Sequence, residues 1–209
     1  MIDFTVSDLD VKKAKAIGRK FGAKVLSTPK LASSCDIIIV SVPIKKTAQT
    51  IREIAPLMKK GAVLIDICSV KSVLKKSFAF AKKFNIEILS IHPLFGPRIK
   101  VHKNRKIAII KIKSGRKSAK FLKFLKKFGF NLFNTTIEEH DKATAVTQAL
   151  SAQFLRKLIK IADPQFSTTN FDKLLGISKK ISANSEFYEE LIRNNPNSRK
   201  LFKQFLQNI

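Results

Sequence analysis

Short apolar runs alternate with helical patterns of ten to fifteen residues through the first two thirds of the chain, a rhythm that predicts parallel strands joined by crossover helices. Strands are predicted over 2–6, 24–26, 37–41, 63–66, 86–91 and 107–112, with a short one over 131–133. Helices are predicted over 11–21, 45–58 and 71–84, with Gly22 and Gly61 placed as helix stops. Over 118–130, Phe121, Leu122, Leu125 and Phe128 share a helix with Lys120, Lys123, Lys126 and Lys127. Such a basic amphipathic helix can lie on an anionic membrane, but the apolar strands on either side make it a sheet-covering crossover with a solvated lysine face. From about Ile137 the pattern is all-helical, over 138–161, 170–181, 187–193 and 198–207, with Asp163-Pro164 as a break. This divides the chain into an α/β domain at 1–136 and a helical region at 137–209. The second part is too short to bury a robust core alone, so its helices are expected to pack on the first part or on another subunit.

Composition narrows the class. Of 209 residues 44% are hydrophobic, enough to build a core, and the two cysteines, Cys35 and Cys68, adjoin predicted strands rather than forming a disulfide framework. That usage, and an N-terminus Met1-Ile2-Asp3-Phe4 without the layout of a signal peptide, leads us to expect a soluble cytoplasmic protein. No apolar run approaches the roughly 18 residues of a membrane span.

The formal charge of +26 attracts polyanions whatever the fold. The 41 lysines and arginines are spread from Lys12 to Lys203, mostly as pairs on predicted helices; there is no Trp, and Tyr188 is the single tyrosine. With no zinc-finger spacing, RNA-recognition signature or aromatic stacking platform, a specific nucleic-acid function is not expected, and salt-sensitive polyanion binding stands as a generic property.

The candidate chemistry centres on Ser90-Ile91-His92-Pro93-Leu94-Phe95-Gly96-Pro97, where an imidazole follows a predicted strand. Ligands of open α/β sheets sit outside the carboxyl ends of the strands, so His92 is a candidate acid or base; a loop histidine bonded to a carbonyl is the plainer alternative. The hexapeptide from His92 to Pro97 resembles the signature loop of the prephenate dehydrogenases of tyrosine biosynthesis. Ser41-Val42-Pro43-Ile44 with Thr47, Ile54-Ala55-Pro56, Asp66-Ile67-Cys68-Ser69-Val70-Lys71, and Glu139-His140-Asp141 with Gln148 follow that family's pattern in order, over roughly residues 2 to 200.

The resemblance implies a Rossmann-like parallel sheet, NAD or NADP as cofactor, prephenate or arogenate as small-molecule substrate, and a homodimer formed by the helical region. It departs at both ends. No G-x-G-x-x-G turn is present; the first strand instead ends in Ser7-Asp8-Leu9-Asp10, which resembles the end of the second Rossmann strand with Asp8 in the ribose-binding place. The chain thus reads as lacking the usual first strand, with three outcomes open: the remaining strands close up, another chain supplies the strand and glycine turn, or the sequence starts at an internal methionine. The helical region is also shorter than the family's.

Residue by residue, the resemblance implies His92 as the catalytic base with Ser69 hydrogen-bonded to it and to the substrate hydroxyl. It places Ser41, Val42, Pro43 and Thr47 along the cofactor, and His140 and Gln148 at the substrate. Where the family carries an arginine nine residues before an aromatic, this chain has Lys179 before Tyr188, which supplies charge without the planar fork. Asp8 favours NAD, since a carboxylate accepts from the 2′-hydroxyl and repels a 2′-phosphate, while Lys12 and Lys13 pull the other way. Asp8 and Asp10 serve equally as caps of the helix at Val11, Ser69 as an N-cap, and His102 matches no pattern. Two functional classes remain: an NAD-linked prephenate or arogenate dehydrogenase, and a non-catalytic relative acting as a binding module.

Overall fold

In a computed structural model of the chain, residues 3–96 and 103–207 are described, and Ile2, Pro97 and His102 lie outside them. The elements run β1 (Thr5–Val6), α1 (Val11–Phe21), β2 (Lys24–Val25), α2 (Thr28–Ser34), β3 (Ile37–Val40), α3 (Ile44–Ile54), β4 (Val63–Asp66), α4 (Lys75–Ala81), β5 (Glu87–Pro93), β6 (Lys106–Lys113), α5 (Arg116–Lys127), β7 (Asn131–Asn134), α6 (Ile137–Thr144), α7 (Ser151–Ile161), α8 (Thr169–Ser182), α9 (Ser185–Asn194) and α10 (Ser198–Gln207). A single π turn, Ala145–Leu150, joins α6 to α7 in what the periodicity presents as one helix. The short α2 is not legible in the hydrophobic pattern.

Five strands form one sheet in the order β3-β4-β5-β6-β7, and β1 and β2 form a separate parallel pair. Every contact in the larger sheet is parallel except β5 with β6. Alternation along the strands sends their side chains to two cores. Ile38, Val40, Leu64 and Ile88 pack under α3 and α4 together with Ala149 and Leu191 of the helical region. Val63, Ile65, Leu89, Ile91, Ile107 and Ile109 pack under Phe121, Leu122 and Leu125 of α5, which is the sheet-covering helix the sequence predicts. The helical region therefore rests on the α/β part, as its size requires.

Local chemistry fixes the element ends. Gly22 ends α1 in the left-handed conformation at φ 64°, where a Cβ is unfavourable. The Glu87 carboxylate accepts from the backbone N–H groups of Lys117 (3.0 Å) and Ser118 (2.6 Å), so a side chain from β5 neutralises the N-terminus of α5. Gly115 permits this approach, because a Cβ there would overlap that carboxylate. Thr136 and Glu139 form a reciprocal capping box that starts α6.

The strands beside the missing position do not close up. Among the described residues β3 bonds only to β4, with Asp36 and Val40 carbonyls accepting from Val63 and Ile67, so the backbone groups of Ile37 and Ile39 face away from the sheet. Their side chains, 40% and 51% exposed, lie on the face that α5 covers further along. Across the gap, the β1-α1-β2 unit packs chiefly on itself and leaves Phe4, Val11 and Phe21 exposed.

Candidate active site

β5 outruns β4. The parallel register ends with Asp66 opposite Ser90, so Ile91, His92 and Pro93 continue alone on that side, past the carboxyl edge of β4, held by antiparallel pairing with β6. His92 consequently stands within a strand, opposite Ala108, rather than in the loop that follows one. A ladder fixes its backbone where a loop would leave it free, and the side chain is 5% exposed.

Three residues form a line. Asp141 Oδ1 lies 2.8 Å from His140 Nδ1, and His140 Nε2 lies 2.8 Å from His92 Nδ1. The Asp141 carboxylate also accepts from the backbone N–H groups of Lys71 (2.9 Å) and Ser72 (2.8 Å). Burial pushes the Asp141 carboxyl up, but the bonds from His140, Ser72 and Lys71 outweigh it and hold the group below its ordinary value, so it is a carboxylate. A carboxylate only accepts; His140 Nδ1 must then be the N–H, and with that one ring proton Nε2 is the acceptor. His92 Nδ1 therefore donates to it, and His92 Nε2 carries the lone pair. That nitrogen has no hydrogen-bond partner among the described residues.

Burial first, then the Lys71 ammonium and His140, push the His92 imidazole down to about 3. The ring is neutral at neutral pH. Lys71 is itself fully buried, with Nζ 2.8 Å from Asp66 Oδ1 and 2.8 Å from the Ile91 carbonyl. Asp66 Oδ1 also accepts from the Cys68 N–H, and Oδ2 has no hydrogen-bond partner among the described residues. Asn195 donates to the Asp141 carbonyl at 2.8 Å, tying the end of α9 to α6.

The structure brings together only part of the residue set implied by the sequence. His92, His140 and Asp141 converge. Both ring nitrogens of His140 are engaged, so they are not free for a substrate. Ser69, buried in the loop after β4, has no hydrogen bond to His92. Ser41, Val42 and Pro43 lie exposed at the carboxyl end of β3, whereas the buried Thr47 hydroxyl donates to the Pro43 carbonyl (3.1 Å), bracing that turn. Gln148 is half-buried on the π turn. Lys179 lines a separate hollow with Ile159, Leu175 and Gly176, away from the histidines. Asp8 is exposed and accepts from the Asp10 N–H (2.9 Å), while Asp10 caps α1 through Lys12 and Lys13. The N–H groups of Lys12 and Lys13 in the first turn of α1 are thus already taken, and the described residues supply no glycine cradle for a pyrophosphate beside them. Sequence reasoning missed Asn195 and the buried Asp66–Lys71 pair; the only signal for the latter was a charged residue at each end of an otherwise apolar strand-end motif.

Comparison with known proteins follows the same lines. The family described as "Prephenate dehydrogenase, nucleotide-binding domain" matches residues 3–107, half of the chain. A probable arogenate/prephenate dehydrogenase of Methanocaldococcus jannaschii is 26% identical over 216 residues, covering 96% of this chain and 48% of the relative. The chain spans about half the length of the curated relatives it matches. Among solved structures, the prephenate dehydrogenase from Aquifex aeolicus superposes with a TM-score of 0.75 at 17% identity, covering 99% of this chain and 80% of that one. The A. aeolicus prephenate dehydrogenase in complex with hydroxyphenyl propionate and NAD+ gives 0.70 at 15% identity, covering 100% and 80%. These likenesses establish the fold. Among the described residues no helix is long and apolar enough to cross a membrane.

Proposed function

Since this chain belongs to the prephenate dehydrogenase family through its nucleotide-binding domain, we propose that it serves an NAD-linked oxidative decarboxylation of prephenate or its amino analogue arogenate, with His92 as the base. The observation that carries this reading is the Asp141–His140–His92 line, which leaves His92 Nε2 with its lone pair, without a hydrogen-bond partner among the described residues, and beyond the carboxyl edge of β4. When bound, the nicotinamide supplies the hydride acceptor, while carbon dioxide leaves and the ring aromatises to 4-hydroxyphenylpyruvate or tyrosine. The protein's own task is the proton. His92 Nε2 accepts it from the substrate hydroxyl as carbonyl character develops, and the imidazolium so formed is stabilised through its Nδ1–H by His140 and the Asp141 carboxylate. His140 is a positioning residue in this scheme. Ser69 and Gln148 are assigned to the substrate, with Lys179 as a more distant cation.

For the cofactor, Ser41, Val42, Pro43 and Thr47 are assigned along the nucleotide and Asp8 to the adenosine ribose, a carboxylate that favours NAD over NADP. The pyrophosphate cradle is the element the described residues do not supply. The exposed Ile161 (83%) and Phe166 (80%) of the helical region support a homodimer through it.

The test is a calorimetric titration of the folded chain with NAD and NADP, with and without prephenate, followed by turnover of His92→Ala. Saturable NAD binding, with turnover lost but binding kept in His92→Ala, is expected. A folded sample that binds neither nucleotide would overturn activity for this chain alone. It would favour the second reading, a binding module that offers the outer edge of β3, unpaired among the described residues, to another chain.

A further inference from the structure

We propose that the cavity between α7, α9 and α10 is a binding site for a small hydroxylated polyanion, separate from the histidine site. The cavity holds about 530 Å³, enough for a small ligand. Gln153, Arg156 and Lys160 approach it from one face of α7, Arg193 from the last turn of α9 and Arg199 from the first turn of α10. None of these belongs to the Asp141–His140–His92 line.

Charge selects the ligand. Five cationic side chains line the cavity, counting Lys157, against a single carboxylate, Glu189, which is already paired with Arg156 at 3.0 Å. Lys157 is turned aside over the ring of Phe202, 4.9 Å from its centroid. Arg193 and Arg199 have no carboxylate partner among the described residues. Arg199 also sits at a helix N-terminus that carries no acidic residue in its first turn, so charge and helix dipole have the same sign there.

The general basicity of the chain does not explain this grouping. Most cations of the sequence are lysines, yet all three arginines beyond residue 137 line this one cavity. Arginine is the side chain that grips carboxylates and phosphates in bidentate fashion, so the selection points to discrete anionic groups. A second observation is independent of charge. The Gln153 side-chain oxygen is buried beside the cavity without a hydrogen-bond partner among the described residues, an expensive state that a ligand hydroxyl would relieve once the amide turns toward the ligand. Ile192 and Phe202 complete an apolar wall that limits the ligand to a short carbon frame.

Citrate and tricarballylate differ by the central hydroxyl and serve as probes. Calorimetric titration of the full chain, in a buffer free of other polyanions, should show saturable one-to-one citrate binding, with tricarballylate weaker by about fivefold or more. Arg193→Gln and Arg199→Gln should each weaken citrate by about tenfold or more, with thermal unfolding reporting that both remain folded. Lys123→Gln and Lys126→Gln, on the far α5 face, should leave it unchanged. The proposal is overturned if no saturable binding is seen, if the α5 variants lose as much affinity as the arginine variants, or if both acids bind alike.

Discussion

His92 Nδ1 and His140 Nε2 stand 2.8 Å apart, and the one proton between them decides which nitrogen of His92 is left as a base. The direction is set two residues away, by the Asp141 carboxylate on the far side of His140. Asp141→Asn can present its amide N–H to His140 Nδ1, which reverses the acceptor order along the line. Proton-detected nitrogen NMR of the wild type should show His92 protonated on Nδ1, and in the variant that signal should weaken or move to Nε2. Turnover should fall by about 10²–10⁴-fold with a smaller change in KM. An unchanged tautomer would sink the relay even if activity were lost.

Stability should depend on pH through the same ring. The folded His92 pKa is depressed to about 3 from an ordinary 6.5, so the unfolded chain binds the proton first as pH falls. Stability from this group is fully present above about 6.5 and is lost progressively as pH drops toward 3, by several kcal/mol in order of magnitude. Asp141, whose pKa is also lowered, adds its loss only in the acid range below its unfolded value. Urea unfolding at pH 7, 6, 5 and 4 should trace the decline, and His92→Asn should flatten it. Equal slopes in the two proteins would contradict the assignment.

Lys71→Met should destabilise the fold by about 3–5 kcal/mol, because it strands the Asp66 carboxylate in a fully buried site. Restoring neutrality with Asp66→Asn in the same chain should recover part of that loss. The urea midpoint is the readout, and a double variant no more stable than Lys71→Met alone would show that the pair is not what matters.

If the helical region pairs two copies, Ile161→Asp and Phe166→Asp together should shift the protein from dimer to monomer in sedimentation, with the far-ultraviolet helix signal kept. A wild type that is monomeric at tens of micromolar would end that part of the reading.

Much of the α/β rhythm was visible in the sequence because buried strands such as Val63–Asp66 announce themselves as unbroken apolar runs, and Val11–Phe21 is bracketed by Asp10 and Gly22. What the pattern could not carry was the polarity of β6. An antiparallel strand that is buried on both faces has the same composition as a parallel one, so the extension of β5 that houses His92 was invisible. The candidate site was half legible. His92 and His140 stand out as rare residues in a lysine-rich chain, but the third partner, Asp141, and its anchor Asn195 are polar residues whose roles exist only once α6, α9 and the turn after β4 meet. Lys179 shows the converse: a position implied by resemblance to the family's arginine, which the packing of α7 against α8 places in another hollow.

Asp8 rides on the least cooperative piece of the molecule. Two strands of two residues each, with a helix that buries only Ala14 and Gly18, make a unit that opens at little free-energy cost, so its amides should exchange with deuterium long before those of β4 or β5. Any nucleotide held there must first select the ordered minority of that ensemble, and its apparent dissociation constant rises in inverse proportion to that fraction. Nucleotide affinity should therefore be governed less by the contacts Asp8 makes than by whatever keeps the β1-α1-β2 unit folded.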